Sequence, residues 1–451
     1  MSGPPPCPPG PADGKVKRRT SKAPNRLLLV ASIGLAVASC TPLETHGASP
    51  PPGSPANADV RVRAMQALLD DYVASGKVPG IVAAIGRGDA PPVFIQAGTI
   101  SDDPGAPEAG PDSLWRIYSM TKPLTAMAAM ALVEDGKLRL DQPISDFIPA
   151  FANMRVVDNP AASLASHPAT QPITVRHLLT HSSGLTYQII GDGPLPQEYK
   201  RLGLLGGRAD AEGSKAQPSS LAEFAERVAS VPLLAEPGTE WHYSISLDVL
   251  GRVIEVASGM PFERFLETRL FKPLGMNSTF WTVPRSDAGR LSTLYYWSGE
   301  SRVPLDPGAG SDWLHPPKVY YGGAGLVSSA RDYDRFLQML AGCGAVDGVR
   351  VLKRETVELA MSNLLPDGVR VEGIGTPETA QAEGFGAGGW VYLADVPAGV
   401  RAGTYGWSGA ASTLAFIEPD KGLRVTVMVN YFPNKWPLHK DVVRALYAAP
   451  E

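Results

Sequence analysis

One stretch of the 451-residue chain restricts the fold more than any other. Residues Thr125–Glu134, TAMAAMALVE, are apolar on almost every side of a helix. A helix that is apolar all round has to be buried on all faces, which requires a large domain around it. Pro123 fits in the first turn, where its missing N–H costs little, and Gly136 ends the helix. The stretch therefore predicts a central helix in a large packed domain.

Strand patterns lie near both ends of the chain. Residues 78–88 and 91–100 have the pattern of two short strands broken by turn residues. Residues 412–433 contain two apolar runs around a Pro-Asp-Lys-Gly turn, which is a hairpin pattern. Residues 140–300 have helical periodicity and long loops, and a last helix is expected near 437–447. This order predicts an α+β fold, with one sheet built from both termini and a helical insertion.

The first 40 residues have the layout of an export signal. Six basic residues between positions 15 and 26 precede an apolar run, Leu27–Ser39, which is too short to span a bilayer. The end of this run, Val37-Ala38-Ser39-Cys40, resembles the lipobox of bacterial lipoproteins, in which the chain is cut before a cysteine that then carries lipid. We expect residues 1–39 to be a signal peptide of this type and Cys40 to be lipidated. The alternative is an ordinary signal cut elsewhere, with Cys40 incidental.

The segment after the signal is expected to be a tether. Residues 40–58 are rich in Pro, Gly and Ser, a composition typical of flexible linkers. A lipid on Cys40 would hold the protein on a membrane without a spanning helix. We therefore expect an exported protein of the bacterial cell envelope, anchored by lipid on the periplasmic side.

The charge balance of the remaining chain bears on its partners. Beyond residue 40 the chain has 35 Lys and Arg and 44 Asp and Glu, so its net charge is −9. It contains no basic stripe, and a protein without one has no electrostatic footprint for nucleic acid. We therefore expect no nucleic-acid partner.

The start of the central helix contains a candidate nucleophile. Ser119 and Lys122 form the only Ser-x-x-Lys in the chain, and side chains three residues apart share one face of a helix. A lysine beside a serine can accept or relay its proton. The N-terminus of a helix also supplies N–H groups for a developing oxyanion. This spacing favours acyl transfer at Ser119.

Three other patterns are weaker candidates. Residues 406–410 nearly form the Gly-x-Ser-x-Gly elbow of other hydrolases, but the last position is Ala410 and a strand pattern follows. His177 and His181 have helical spacing, but no third metal ligand is evident. Residues 322–325 are rich in glycine but lack the lysine of a phosphate loop, so they predict a tight backbone turn. We expect neither a metal nor an organic cofactor.

Several ordered stretches together carry a family resemblance. The chain resembles the serine β-lactamase and penicillin-binding-protein superfamily, and within it class C β-lactamases and above all family VIII carboxylesterases. The resemblance covers about residues 60–450 and implies an antiparallel sheet flanked by helices, beside an all-helical subdomain. It implies a β-lactamase-related domain at 59–451, with a sheet subdomain of 59–118 and 300–451 and a helical subdomain of 119–300. The stretches are LWRIYSMTKPLTAMAAMALVEDGKLRLDQPI, ITVRHLLTHSSGL, PGTEWHYSISLDVLGRVIE, PLGMNST, YGGAGLVSSARDYDRFLQML and YGWSGAASTLAFIEP.

The resemblance also assigns roles to single residues. Ser119 matches the family's nucleophile and Lys122 its partner. Tyr243 matches the tyrosine that opens the Tyr-x-Asn element and shares general-base work with the lysine. Trp407-Ser408-Gly409 lies where β-lactamases have Lys-Thr-Gly, and the oxyanion hole would be the N–H groups of Ser119 and Ala410. Attack by the serine would give an acyl-enzyme that water releases.

Two departures from the β-lactamase pattern concern the substrate. Ile245 stands where β-lactamases have an asparagine that contacts the substrate amide, and isoleucine cannot hydrogen-bond. Trp407 replaces a lysine or histidine that helps to hold the β-lactam carboxylate. These changes favour a carboxylesterase that acts on short-acyl, largely apolar esters. A β-lactamase or D-Ala-D-Ala carboxypeptidase, and a non-catalytic envelope protein that binds a ligand on the same scaffold, remain the alternatives.

Overall fold

The computed structural model describes residues 55–207, 217–371 and 382–447. The predicted signal peptide, Cys40 and the predicted tether up to residue 54 lie outside these residues. The first helix begins at Pro55, within the last residues of the predicted tether. Within the described ranges, none of the helices has both the length and the apolar character needed to cross a bilayer.

The helices lie close to where the sequence patterns place them. The helical periodicity predicted over residues 140–300 includes helices at Val175–Leu179, Leu221–Ala229 and Ser246–Ser258, and the last helix predicted near 437–447 is Leu438–Tyr447. The stretch FERFLETRLFKPLGM, residues 262–276, contains two short helices, Phe262–Leu266 and Lys272–Leu274, joined by a π-helical segment, Glu267–Phe271. The helices are α1 (Pro55–Ala74), α2 (Thr121–Glu134), α3 (Val175–Leu179), α4 (Pro194–Arg201), α5 (Leu221–Ala229), α6 (Ser246–Ser258), α7 (Phe262–Leu266), α8 (Lys272–Leu274), α9 (Ala330–Ala341), α10 (Arg354–Ala360) and α11 (Leu438–Tyr447).

The strands form one large sheet and several short ladders. The large sheet is antiparallel throughout and has the order β11-β12-β13-β14-β15-β1-β2, so strands from both ends of the chain meet in it as predicted. The strands are β1 (Gly80–Arg87), β2 (Val93–Gly98), β3 (Trp115–Arg116), β4 (Arg155–Val157), β5 (Ser166–Pro168), β6 (Leu294–Ser298), β7 (Ser301–Asp306), β8 (Val327–Ser328), β9 (Ala345–Val346), β10 (Val349–Arg350), β11 (Glu383–Phe385), β12 (Trp390–Tyr392), β13 (Tyr405–Ser408), β14 (Leu414–Glu418), β15 (Leu423–Met428) and β16 (Tyr431–Phe432).

The predicted C-terminal hairpin is β14 and β15. Its Pro-Asp-Lys turn is followed by Gly422 with a φ of +58°, a conformation that glycine adopts without steric cost. Every residue of both strands is buried, because helices cover both faces of the sheet. Alternate residues of a strand point to opposite faces, so Ile81 packs with α1 and α11 while Val82 packs with the core around α2 and α9.

The central helix is buried as predicted. Every residue of α2 from Thr121 to Leu132 is buried, and the helix packs against α6, α7 and α10. It begins at Thr121, four residues earlier than the apolar pattern alone indicates, so Lys122 and Pro123 lie inside its first turn. The helix ends at Glu134, and Gly136 just beyond it has a φ of +72°.

The region between the two parts of the large sheet is mostly helical but not entirely so. Residues 119–300 contain the short ladder of β4 with β5 and the strand β6. The two-residue strands β3 and β8 also pair with each other, beside the start of α2. The boundary between a sheet subdomain and a helical subdomain stays a prediction.

Candidate active site

Ser119 lies in a short 3₁₀ turn, Tyr118–Met120, that leads directly into α2. Tyr118 has a φ of +41°, in the left-handed region that residues with a Cβ rarely adopt. The far end of the turn is fixed because the Tyr333 hydroxyl, on α9, donates to the carbonyl of Met120 over 2.9 Å. Ser119 is half-buried, so its hydroxyl is held in place yet reachable.

Lys122 is fully buried one turn into the helix, and its amine is surrounded by acceptors. Its Nζ donates to Ser119 Oγ over 3.1 Å, to the Tyr187 hydroxyl over 3.1 Å and to the Gly323 carbonyl over 2.9 Å. These three contacts hold the Lys122 nitrogen in a fixed position beside Ser119 Oγ.

Tyr243 approaches the same serine from the loop before α6. Its hydroxyl donates to Ser119 Oγ over 2.7 Å, and its ring centre lies 4.7 Å from Lys122 Nζ. The structure thus brings the three predicted residues together at one oxygen, although Tyr243 is 124 positions from Ser119. A group that accepts a proton from a nucleophile has to be within hydrogen-bond reach of it, and both Lys122 and Tyr243 are.

Tyr187 belongs to this cluster and was not predicted. It follows the SSGL turn after α3, is almost fully buried and accepts a hydrogen bond from Lys122. Burial raises the pKa of its hydroxyl well above the usual value, and nearby Tyr243 and Asp248 add to the rise. Its signal in the sequence is only its place directly after the ITVRHLLTHSSGL stretch.

Asp248 is the second residue of the site that the sequence patterns did not indicate. It lies in the first turn of α6, is fully buried, and accepts a hydrogen bond from the Gly323 N–H over 2.7 Å. Burial raises the pKa of this carboxyl to about 6, while Lys122 opposes the rise. Its signal was a charged residue inside the apolar run SLDVLG.

The glycine-rich residues 322–325 form the tight approach that was predicted, and it lies at the site. A Cβ added at Gly322 would overlap the carbonyl oxygen of Leu247, and one at Gly323 would lie 2.6 Å from Asp248 Oδ2. Only residues without a side chain fit there. The prediction of a backbone turn is confirmed, but its contact with Lys122 was not anticipated.

The end of β13 forms the other side of the site. A Cβ added at Gly409 would overlap the carbonyl oxygen of Ile117, so this strand end abuts the turn that carries Ser119. Ser408 is half-buried at the strand end and Ala410 is exposed in the turn that follows. The next element is strand β14, as the strand pattern predicts, and not the helix that follows a Gly-x-Ser-x-Gly elbow.

Trp407 is the centre of an aromatic cluster beside Tyr243. Its ring centre lies 5.5 Å from that of Tyr243 and 5.2 Å from that of Phe385, and Trp241 packs on the same group. Trp407 is only 4% exposed. This side of the site therefore presents aromatic rings, whereas the α2 side presents polar groups.

The two histidines weighed as metal ligands have other contacts. His177 accepts a hydrogen bond from the Thr174 N–H and so completes the N-terminal cap of α3. His181 is buried against the Tyr243 ring at 4.8 Å, and its Nδ1 lies 3.0 Å from Ser244 Oγ. Burial lowers the pKa of His177 to about 4 and that of His181 well below its usual value.

The antiparallel sheet, the buried α2 and the site between them define an α+β protein of the β-lactamase/transpeptidase-like fold. The family model described as Beta-lactamase matches residues 65–449, and the chain belongs to this family. The predicted fold class and the predicted family are both confirmed.

Curated relatives and solved structures agree with this assignment. Protein Rv1367c of Mycobacterium tuberculosis is 32% identical over 394 residues, which cover 85% of this chain and 93% of that protein. Esterase EstB of Burkholderia gladioli is 30% identical over 407 residues, with 85% and 94% covered. The structure of EstCE1, a hydrolase with promiscuous acyltransferase activity, superposes with a TM-score of 0.69 at 24% identity and covers 87% of this chain and all of that one.

Proposed function

We propose that the protein is a serine carboxylesterase that acts through an acyl-enzyme at Ser119. One observation carries this proposal: Ser119 Oγ receives hydrogen bonds from both the Lys122 amine and the Tyr243 hydroxyl. A serine hydroxyl is a weak nucleophile unless a neighbouring group accepts its proton. The family, whose relatives include esterases and acyltransferases, supports this chemistry.

The proposed reaction has two halves. In the first, Ser119 Oγ bonds to the ester carbonyl carbon, its proton passes to the Lys122–Tyr243 pair, and the alcohol leaves with that proton. In the second, water gives a proton to the same pair and its oxygen bonds to the acyl carbon. The bond between that carbon and Ser119 Oγ then breaks, the pair returns the proton to Oγ, and the acid and the free serine are released. The backbone N–H groups of Ser119 and Ala410 are the proposed donors to the oxyanion in both halves.

The proposed substrates are short-acyl, largely apolar esters. Ile245 is fully buried in the core, so the position at which β-lactamases use asparagine offers no hydrogen bond. Trp407, which packs against Phe385, stands at the position where β-lactamases have a carboxylate-binding lysine or histidine. Both features favour an uncharged ester over a β-lactam or a peptide C-terminus.

The test compares the full chain with Ser119→Ala on p-nitrophenyl butyrate. We expect the rate to fall by about 10³-fold or more, because the nucleophile is lost. Ser286→Ala is the matched control, since Ser286 is exposed in the 3₁₀ helix Arg285–Arg290 and its hydroxyl donates to Asp287. Equal rates for wild type and Ser119→Ala would refute the proposal.

Two further reagents separate the alternatives. A chromogenic cephalosporin hydrolysed faster than the nitrophenyl ester would favour a β-lactamase, against the proposal drawn from Ile245 and Trp407. Failure of a fluorophosphonate probe to label Ser119 would favour the non-catalytic binding protein. Labelling at Ser119 together with ester turnover is the outcome we expect.

We also propose export and lipid anchoring through Cys40. The order of basic residues, apolar run and cysteine supports this proposal. In bacteria supplied with labelled palmitate, the wild type should incorporate label and sediment with membranes, whereas Cys40→Ser should do neither. Equal labelling of the two proteins would count against anchoring at this cysteine.

A further inference from the structure

Asp248 is a buried carboxylate with a marked imbalance between its two oxygens. Oδ1 accepts the Gly323 N–H over 2.7 Å, whereas Oδ2 has no hydrogen-bond partner among the residues that the structure describes. A buried carboxylate oxygen without a partner is costly, so a plain structural anchor would be better served by a neutral side chain. Asp248 has no part in the two-step reaction proposed for Ser119.

The surroundings of Asp248 leave little room for another side chain. A Cβ at Gly206 would lie 2.7 Å from Oδ2, and one at Gly323 would lie 2.6 Å from it. Lys122 is the cation that acts on the carboxylate electrostatically. Two glycines, the buried Lys122 and the Tyr187 hydroxyl thus surround this acid.

A chain of hydrogen bonds joins the acid to the nucleophile. Asp248 Oδ1 holds the N–H of Gly323, the carbonyl of Gly323 accepts from Lys122 Nζ, and Nζ donates to Ser119 Oγ. We propose that Asp248 is a positioning residue for Lys122, which aims the lysine through Gly323 and balances its buried charge. The proposal rests on the proposed function in one respect, namely that Lys122 serves Ser119.

Other titratable groups also face this pair. Tyr187 from the loop after α3 accepts a hydrogen bond from Lys122, and the Tyr243 ring packs over its amine. His181 lies behind Tyr243, and both its burial and Lys122 lower its pKa. Asp248 is thus the carboxylate that faces Lys122, and the other three groups are two tyrosines and a histidine.

Reciprocity supplies a test that needs no substrate. If the Asp248 carboxylate stabilises the Lys122 ammonium, the ammonium stabilises the carboxylate by the same free energy. In the full chain with ¹³C-labelled aspartate, the Asp248 carboxyl signal is assigned by its loss in Asp248→Asn. We expect its titration midpoint to rise by about one pH unit in Lys122→Met and to stay close to the wild-type value in Lys122→Arg, which keeps the charge.

Asp332 is a matched internal control. It also lies in the first turn of a helix, its pKa is also raised to about 6 by burial, and the charged groups that act on it are Asp112 and Arg290 rather than Lys122. Its midpoint should not move in Lys122→Met. An unchanged Asp248 midpoint, or equal shifts at both aspartates, would overturn the proposal whether or not the protein hydrolyses esters.

Activity gives a second and independent readout. Asp248→Asn keeps an acceptor for Gly323 but removes the charge, whereas Asp248→Ala removes both. We expect kcat on p-nitrophenyl butyrate to fall about tenfold in the first variant and about 100-fold in the second, with KM changed less than about twofold. In the profile of kcat against pH, the position of the acid limb should differ between Asp248→Asn and the wild type. If Asp248→Asn changes neither kcat nor the acid limb of the pH profile, the proposed charge role is contradicted. This result would count even if Lys122→Met does not fold.

Discussion

The two sides of Ser119 are built on different principles. On the α2 side, Lys122 and Tyr243 are held by hydrogen bonds between 2.7 and 3.1 Å long. On the β13 side, Trp407 and Phe385 meet through ring contacts, with ring centres 5.2 Å apart. Hydrogen bonds fix direction, whereas ring contacts fix shape and exclude water.

We infer from this difference that the α2 side controls the reaction itself and the β13 side controls the choice of substrate. A change on the α2 side should lower the rate for every substrate, because it disturbs the group that receives the serine proton. A change on the β13 side should depend more on the substrate, because that side defines the space beside the nucleophile.

Loss of the lysine amine should be the most damaging change on the α2 side. In Lys122→Met the proposed proton acceptor is gone, and the Tyr187 hydroxyl and the Gly323 carbonyl lose their donor. We expect kcat/KM for p-nitrophenyl butyrate to fall by about 10³-fold or more. Lys200→Met, at an exposed position of α4, is the control and should keep full activity.

A small loss in Lys122→Met would break the comparison. It would mean that Tyr243 alone activates the serine and that the lysine only supports the structure. Steady-state kinetics on two esters with different acyl chains would reveal this, because the α2 side should affect both esters equally.

A methyl group at Gly409 should disturb the contact between the two sides. The added Cβ would overlap the Ile117 carbonyl and the Thr413 hydroxyl, which forces the end of β13 away from the Ser119 turn. We expect Gly409→Ala to lower kcat by about 10- to 100-fold and stability by about 1–3 kcal/mol. Gly289→Ala should be silent, since its Cβ meets nothing within 4 Å. Near-normal kinetics of Gly409→Ala would show that the strand end does not position the oxyanion donor.

The sequence was sufficient for features that depend on local pattern. The apolar helix α2 and the hairpin of β14 and β15 could be predicted because periodicity and turn residues determine them within about 20 residues. The meeting of Ser119 with Tyr243 followed only from the family resemblance, because no spacing rule connects residues 124 positions apart.

The remaining site residues depend on tertiary contacts without a local signal. Tyr187 lies 65 positions from Lys122, and Gly323 lies 201 positions from it. Asp248 occupies one apolar helical run, and its meaning depends on a glycine loop 75 positions later. A buried acid opposite a glycine-rich turn can be recognised only when both are seen together.

The smallest expected effect concerns stability rather than activity. Burial lowers the pKa of His177 to about 4, so between about pH 6.5 and pH 4 the unfolded chain binds a proton that the folded chain does not. Stability contributed by neutral His177 is therefore complete above this window and is lost as the pH falls through it. The loss at full extent is about 3 kcal/mol.

His177→Gln removes this titration while it keeps the helix cap, because glutamine at this position can complete a capping box with Thr174. Urea unfolding at pH 7.5 and at pH 4.5 should show a smaller acid loss in the variant, by about 2 kcal/mol. The kcat of the variant at pH 7.5 should equal that of the wild type, since His177 makes no contact with Ser119 or Lys122 among the interactions of the described residues. A fall in the kcat of His177→Gln would mean that α3 also contributes to catalysis. Equal acid losses in the two proteins would instead mean that His177 is not the group that titrates.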